Sequence, residues 1–150
     1  MRELKGIAAV EAAVGEELGS SEWMTINQGT IDAFAESTGD RQWIHVDPQR
    51  AAAGAYGSTI AHGFLTLSLI PKFSAEIFAI EGVSMRVNYG LNKVRFPQPV
   101  PVDSRVRDTA TVREAVRGTS GTQVIIGHVI EIEGTDRPAC IAEMVLLLVE

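Results

Sequence analysis

Cysteine is nearly absent from this 150-residue chain: Cys140 stands alone, so no disulfide can form within it. Set in the apolar stretch Ala139–Val149, its thiol reads as a small buried side chain, a usage that fits a reducing, cytoplasmic setting. Histidine is scarce as well, at positions 45, 62 and 128, and no CxxC or HExxH spacing accompanies it, so no metal is expected. Basic residues are outnumbered, 13 against 19 acidic ones, for a formal net charge of −6 and a pI near 5.1. Binding a phosphate backbone needs a positive surface, so nucleic acid is not the expected partner. Long apolar runs are missing too. The best of them, Phe64 to Ile80, is broken by Pro71, Lys72 and Glu76 and makes a poor membrane span. The opening Met-Arg-Glu-Leu-Lys-Gly has no apolar segment behind its charges, which argues against a secretory signal. No repeat, low-complexity tract or Pro/Gly-rich linker divides the chain, and residues 1–150 read as a single domain.

What is present suits a folded protein: 45% of the residues are hydrophobic and 21% charged, enough apolar material for a real core. A short strand, Trp23 to Ile26, leads to Asn27, a natural cap for a helix in which Ile31, Phe34 and Ala35 recur at helical spacing until Gly39. A second helix is expected over Phe64 to Glu81. It is apolar on nearly every side, so protein should surround it, and Pro71 should kink it or open a turn. The later half reads as strands: Val83 to Tyr89, Lys93 to Phe96, Arg105 to Arg113, Val124 to Glu133 and Ala139 to Val149. Arg105 to Arg113 alternates, with Val106, Ala110 and Val112 on one face and Arg105, Arg107 and Arg113 on the other. A buried helix followed by a meander of long strands predicts an α+β fold in which an antiparallel sheet wraps around that helix.

Two segments carry possible chemistry. In the first, Gly39-Asp40-Arg41-Gln42-Trp43-Ile44-His45, an acid and an imidazole stand five residues apart just past a helix end. On a continued helix they would diverge by about 140°, and extended they would lie about 16 Å apart, so only a loop that doubles back lets them meet. Gly39 and Pro48 make such a loop credible. A carboxylate and a neutral imidazole sharing one water can take a proton and return one, which suits addition of water to a polarised double bond. The same residues also read as plain turn chemistry, with Asp40 capping the turn. In the second, Ile60-Ala61-His62-Gly63-Phe64, a His-Gly pair opens the buried helix. Backbone N–H groups at a helix start lack intrahelical acceptors, and Gly63 lets a ligand approach one closely; the plain alternative is a glycine that eases the turn, with His62 as the cap.

Together these segments resemble the MaoC-like dehydratases, the (R)-specific enoyl-CoA hydratases of the hot-dog superfamily. The matching residues are Gly39-Asp40 with His45, then Val46-Asp47-Pro48 with Ala51, then Ile60-Ala61-His62-Gly63, then Val94-Arg95-Phe96 followed by Pro99-Val100 and Asp103. The likeness runs from about Gly15 to Val149. Two departures stand out: Gln42-Trp43 replaces an Asn-Pro common in the family, and Pro71 falls where some relatives carry a serine.

The resemblance implies a hot-dog fold, a homodimer, and hydration of a trans-2-enoyl-CoA to an (R)-3-hydroxyacyl-CoA in fatty acid metabolism. Asp40 and His45 would activate the water, and the Gly63 N–H would hold the thioester oxygen. Trp43, His62, Phe64 and Arg95 are candidates for substrate contact, with Trp43, Phe64, Phe73 and Phe78 around the acyl tunnel. No cofactor is implied, since coenzyme A is part of the substrate; an acyl carrier protein is the other possible carrier. The competing readings are an acyl-CoA thioesterase on the same fold and a non-catalytic acyl-CoA-binding subunit. Residues 83–117 hold seven bases (Arg86, Lys93, Arg95, Arg105, Arg107, Arg113, Arg117) against three acids (Asp103, Asp108, Glu114), a local excess fit for the phosphates of CoA.

Overall fold

A computed structural model describes residues 1–150. The chain opens with strand β1 (Arg2–Lys5), helix α1 (Gly6–Ala12) and strand β2 (Glu17–Ser20), three short elements that no clear periodicity announces. Strand β3 (Met24–Ile26) and helix α2 (Gln28–Thr38) follow as expected. Asn27 Oδ1 accepts the Thr30 N–H at 2.9 Å, and Gly39 ends the helix in the left-handed region at φ 77°. Ile31 and Ala35 face inward. Two short helices, α3 (Trp43–Val46) and α4 (Pro48–Ala52), fill the connection that follows.

The single helix expected over Phe64 to Glu81 is instead three elements: α5 (Gly63–Ser68), α6 (Ile70–Ile77) and strand β4 (Phe78–Glu81). Leu69 joins the two helices, and Pro71 sits in the first turn of α6, where its missing N–H costs no hydrogen bond. The chain leaves helical geometry at Phe78 (φ −146°, ψ 157°) because β4 pairs in parallel with β1, a partner more than seventy residues away. Protein covers only one side of this helical pair. Leu65, Ile70, Phe73 and Ile77 are buried, while Phe64 is 69% exposed.

The main sheet comprises β5 (Met85–Arg95), β6 (Ser104–Gly118), β7 (Gly121–Ile132) and β8 (Cys140–Val149), in the order β2-β6-β7-β8-β5, with β3 also on β6. The two strands expected at Val83 to Tyr89 and Lys93 to Phe96 are one strand, β5, with register shifts against β8 at Asn88/Gly90 and Leu91/Val94. Helix α6 lies against β2 and β6 and α5 against β8, so the sheet backs one helical layer in the expected α+β arrangement. A cluster of 27 buried apolar residues fills the space between. Fully buried members such as Phe73, Ile126 and Leu148 each contribute roughly 1.5–3 kcal/mol.

The inward face of β6 holds a residue that the apolar pattern obscured. Val106, Ala110 and Val112 are buried as expected, and so is Asp108, one of the three acids of the basic stretch. His128 Nδ1 meets its carboxylate at 2.6 Å, with both side chains wholly enclosed. The Asp108 backbone N–H donates to Ser21 Oγ, tying β6 to the segment before β3.

Candidate active site

The C-cap at Gly39 reverses the chain, and α3 then turns His45 inward to 6% exposure, whereas Asp40 stays exposed. His45 Nδ1 donates to the Ile60 carbonyl at 2.7 Å, because a carbonyl can only accept. That bond fixes the tautomer and leaves Nε2 as the basic nitrogen. His62 Nε2 donates to the backbone carbonyl of Asp40 at 2.9 Å. Its ring stacks on that of His45 with centroids 3.8 Å apart and planes 23° from parallel. One side-chain donor or acceptor from each of Asp40, His45 and His62 falls within 4.8 Å of the others. Such a trio has the residue types of a metal site, but near-parallel rings aim their lone pairs along lines that do not converge on one ion. The loop therefore doubles back as the acid and imidazole require. Burial pushes the His45 pKa below its ordinary value, partly opposed by its bond to Ile60; the His62 ring lowers it further and the Asp40 carboxylate raises it.

An open cavity of about 230 Å³ has His45 and Gly63 in its wall, together with Tyr56, Thr66, Phe96 and Pro99. Gly63 is the first residue of α5, so its N–H has no acceptor within the helix. The site also needs glycine here, since a Cβ would come within 2.8 Å of the Phe96 ring. Imidazole and a close-approach backbone donor thus share one hollow, and the Asp40 carboxylate, outside its wall, lies within 4.8 Å of the imidazole.

Residues 9–134 match the family described as MaoC like domain. The chain belongs to the MaoC-like dehydratases. This MaoC-like dehydratase is 50% identical over 147 residues to 3-hydroxyacyl-thioester dehydratase Z of Mycobacterium tuberculosis, covering 97% of each chain. It is 44% identical to nodulation protein N of Rhizobium leguminosarum bv. viciae, across 99% of this chain and 93% of the relative. Among solved structures it superposes on R-hydratase PhaJ1 from Pseudomonas aeruginosa with TM-score 0.74 at 23% identity, over 91% of this chain and 82% of that one. The fold is the hot-dog fold, and the protein is an enzyme of the dehydratase type.

Other expected site residues of this MaoC-like dehydratase lie elsewhere than on the cavity wall. His62 is 3% exposed and is held between the Asp40 carbonyl, the His45 ring and the Phe34 ring. Nor does its side chain cap α5. Trp43 lines a separate small hollow with Ala51 and Gly54, under the Arg50 guanidinium at 4.4 Å from the ring centroid. It anchors α3 to α4 and does not narrow the cavity beside His45. Phe64 projects outward, edge-on to Phe96 at 6.3 Å. Phe73 is fully buried, while Phe78 borders another cavity, between α6 and strands β5 and β8. Arg95 is exposed and bonds only to the Val94 carbonyl at its own backbone. The carbonyl of Ile60 was missed, because a backbone acceptor leaves no mark in the residue types.

Proposed function

We propose that this dehydratase adds water reversibly to trans-2-enoyl thioesters, giving (R)-3-hydroxyacyl thioesters. The observation that carries the reading is the convergence of the Asp40 carboxylate and the His45 imidazole beside a cavity that also presents Gly63. The thioester oxygen accepts the Gly63 N–H, which draws electron density from the double bond and makes C3 electrophilic. Asp40 and His45 Nε2 hold the water and take its proton as oxygen bonds to C3, and a proton returns to C2. In dehydration the same groups run in reverse. Neither cofactor nor metal enters these steps.

The carrier is proposed to be coenzyme A or an acyl carrier protein. Ion pairs narrow the basic stretch: Arg105, Arg107 and Arg117 are held by Glu133, Glu131 and Glu11. Arg86, Lys93, Arg95 and Arg113 have no carboxylate within ion-pair reach. Lys93 and Arg95 run directly into Phe96 of the cavity wall, which favours them for phosphate contact.

Loss of enoyl absorbance with crotonyl-CoA and longer homologues, followed by chiral analysis of the product, tests the reaction directly. Asp40→Asn and His45→Gln should each lower kcat about 100-fold or more with the fold intact. Near-normal turnover in either variant would overturn the assignment. A thiol-reactive dye separates hydration, which frees no thiol, from thioester cleavage, which does.

A further inference from the structure

A closed circuit of hydrogen bonds surrounds His45. Gln28, at the start of α2, donates from Nε2 to the His45 backbone carbonyl at 2.8 Å and to Asp32 Oδ1 at 2.8 Å. Neither acceptor can donate, which settles which end of the amide faces them. Its Oε1 accepts the hydroxyl of Thr59, a residue 1% exposed. The residue after Thr59 is Ile60, whose carbonyl holds His45 Nδ1 and whose N–H donates to the Ile44 carbonyl at 3.0 Å. The Thr59 carbonyl in turn accepts the Val102 N–H at 2.9 Å, fastening this corner to the segment before β6. From the His45 main chain, the path through Gln28, Thr59 and Ile60 returns to the His45 ring.

We propose that Gln28 and Thr59 are positioning residues that set the place and tautomer of the His45 imidazole, leaving Nε2 free for the water. Without the hydroxyl–amide bond, segment 59–60 can slip against α3. The Ile60 carbonyl then no longer selects Nδ1 as the protonated nitrogen, and Nε2 loses its aim. The catalytic part of the proposal rests on the hydratase reading above; the structural part does not.

The test compares Thr59→Val, Thr59→Ser and Gln28→Met with the wild-type protein, by crotonyl-CoA hydration and by long-range nitrogen–proton NMR of the histidine rings. Thr59→Val and Gln28→Met should lower kcat about 10- to 100-fold, the scale of loss when a reacting group is misplaced by an ångström or less. KM should stay within about twofold, since the substrate contacts remain. In both variants the His45 ring signals should move from the pure Nδ1–H form toward a mixture of tautomers. Thr59→Ser, which keeps the hydroxyl, should restore both readouts. Unchanged kcat and ring signals in Thr59→Val and Gln28→Met overturn the proposal, as does a Thr59→Ser variant that falls as far as Thr59→Val, since a packing role would then suffice. If Gln28→Met fails to fold, the two Thr59 variants decide. If the wild-type protein does not hydrate enoyl thioesters, the hydratase reading falls and the ring signals alone decide on the brace.

Discussion

At the scale of single residues, His45, the proposed base, shows how burial and hydrogen bonding keep an imidazole neutral. Its pKa is pushed below the ordinary imidazole value mainly by loss of solvent, so the neutral form that can take a proton from water persists into more acidic solution. As pH falls, kcat/KM for hydration should hold level past about 6.5, the ordinary value, and decline only below it. A decline centred at or above that value in the pH–rate profile would contradict the assignment. Asp108 and His128 pose a different residue-scale problem, a fully enclosed acid–imidazole pair away from the cavity wall. Asp108 Oδ1 and His128 Nε2 have no hydrogen-bond partner, so the pair depends on the single bond between His128 Nδ1 and Asp108 Oδ2. His128→Leu should cost about 3–5 kcal/mol in urea denaturation because it strands a buried carboxyl group. The double variant Asp108→Leu/His128→Leu should recover much of that loss; if it falls by the sum of the single losses, the two residues are not coupled. Cys140, close by, has its thiol pushed up to about 11 by burial and by the charge of Asp108. It should stay protonated and unreactive, which agrees with its expected role as a small core side chain.

At the scale of elements, legibility followed locality. Asn27 and Gly39 mark both ends of α2 through contacts made within a few residues, and β6 shows itself by alternation. The acid–imidazole pair was readable for the same reason, since Asp40 and His45 stand only five residues apart. By contrast β4 exists because it pairs with β1, and nothing in Phe78–Glu81 distinguishes that strand from another turn of helix. Asp108 was left out of the buried face because its charge outweighed its position in the alternation. Trp43 was assigned to the tunnel on size, whereas its neighbours Gly54 and Arg50 give it a pocket of its own. The start of α5 yields a prediction at this scale. Gly63→Ala drives a methyl group within 2.8 Å of Phe96 at the cavity wall, so the N–H or the ring must shift. Turnover of crotonyl-CoA should drop about tenfold or more, the cost of misdirecting an oxyanion donor, with little change in melting temperature. Wild-type kinetics in this variant would remove Gly63 from the proposed mechanism.

For the whole molecule, the exposed edge of the sheet sets the problem. β5 is the last strand in the order and pairs only with β8, so the polar backbone groups along its other side face outward. Along or beside that edge Met85, Tyr89 and Leu91 are 53%, 64% and 44% exposed. A long edge strand with apolar side chains invites pairing with another chain, and a defined homodimer is the arrangement that satisfies it without open-ended aggregation. Two copies joined through β5 about a two-fold axis would extend each sheet into the other. It would also bring Arg86, Lys93 and Arg95 of each chain toward the joint. The expected solution mass at micromolar concentration is therefore twice the 16.2 kDa of one chain, measured by light scattering. Replacing Tyr89 and Leu91 together by lysine adds repulsion at the joint and should shift the mass toward the monomer, with circular dichroism unchanged. A wild-type protein that scatters as a monomer at that concentration, or a double-lysine variant that remains fully dimeric, would place the interface elsewhere or remove it.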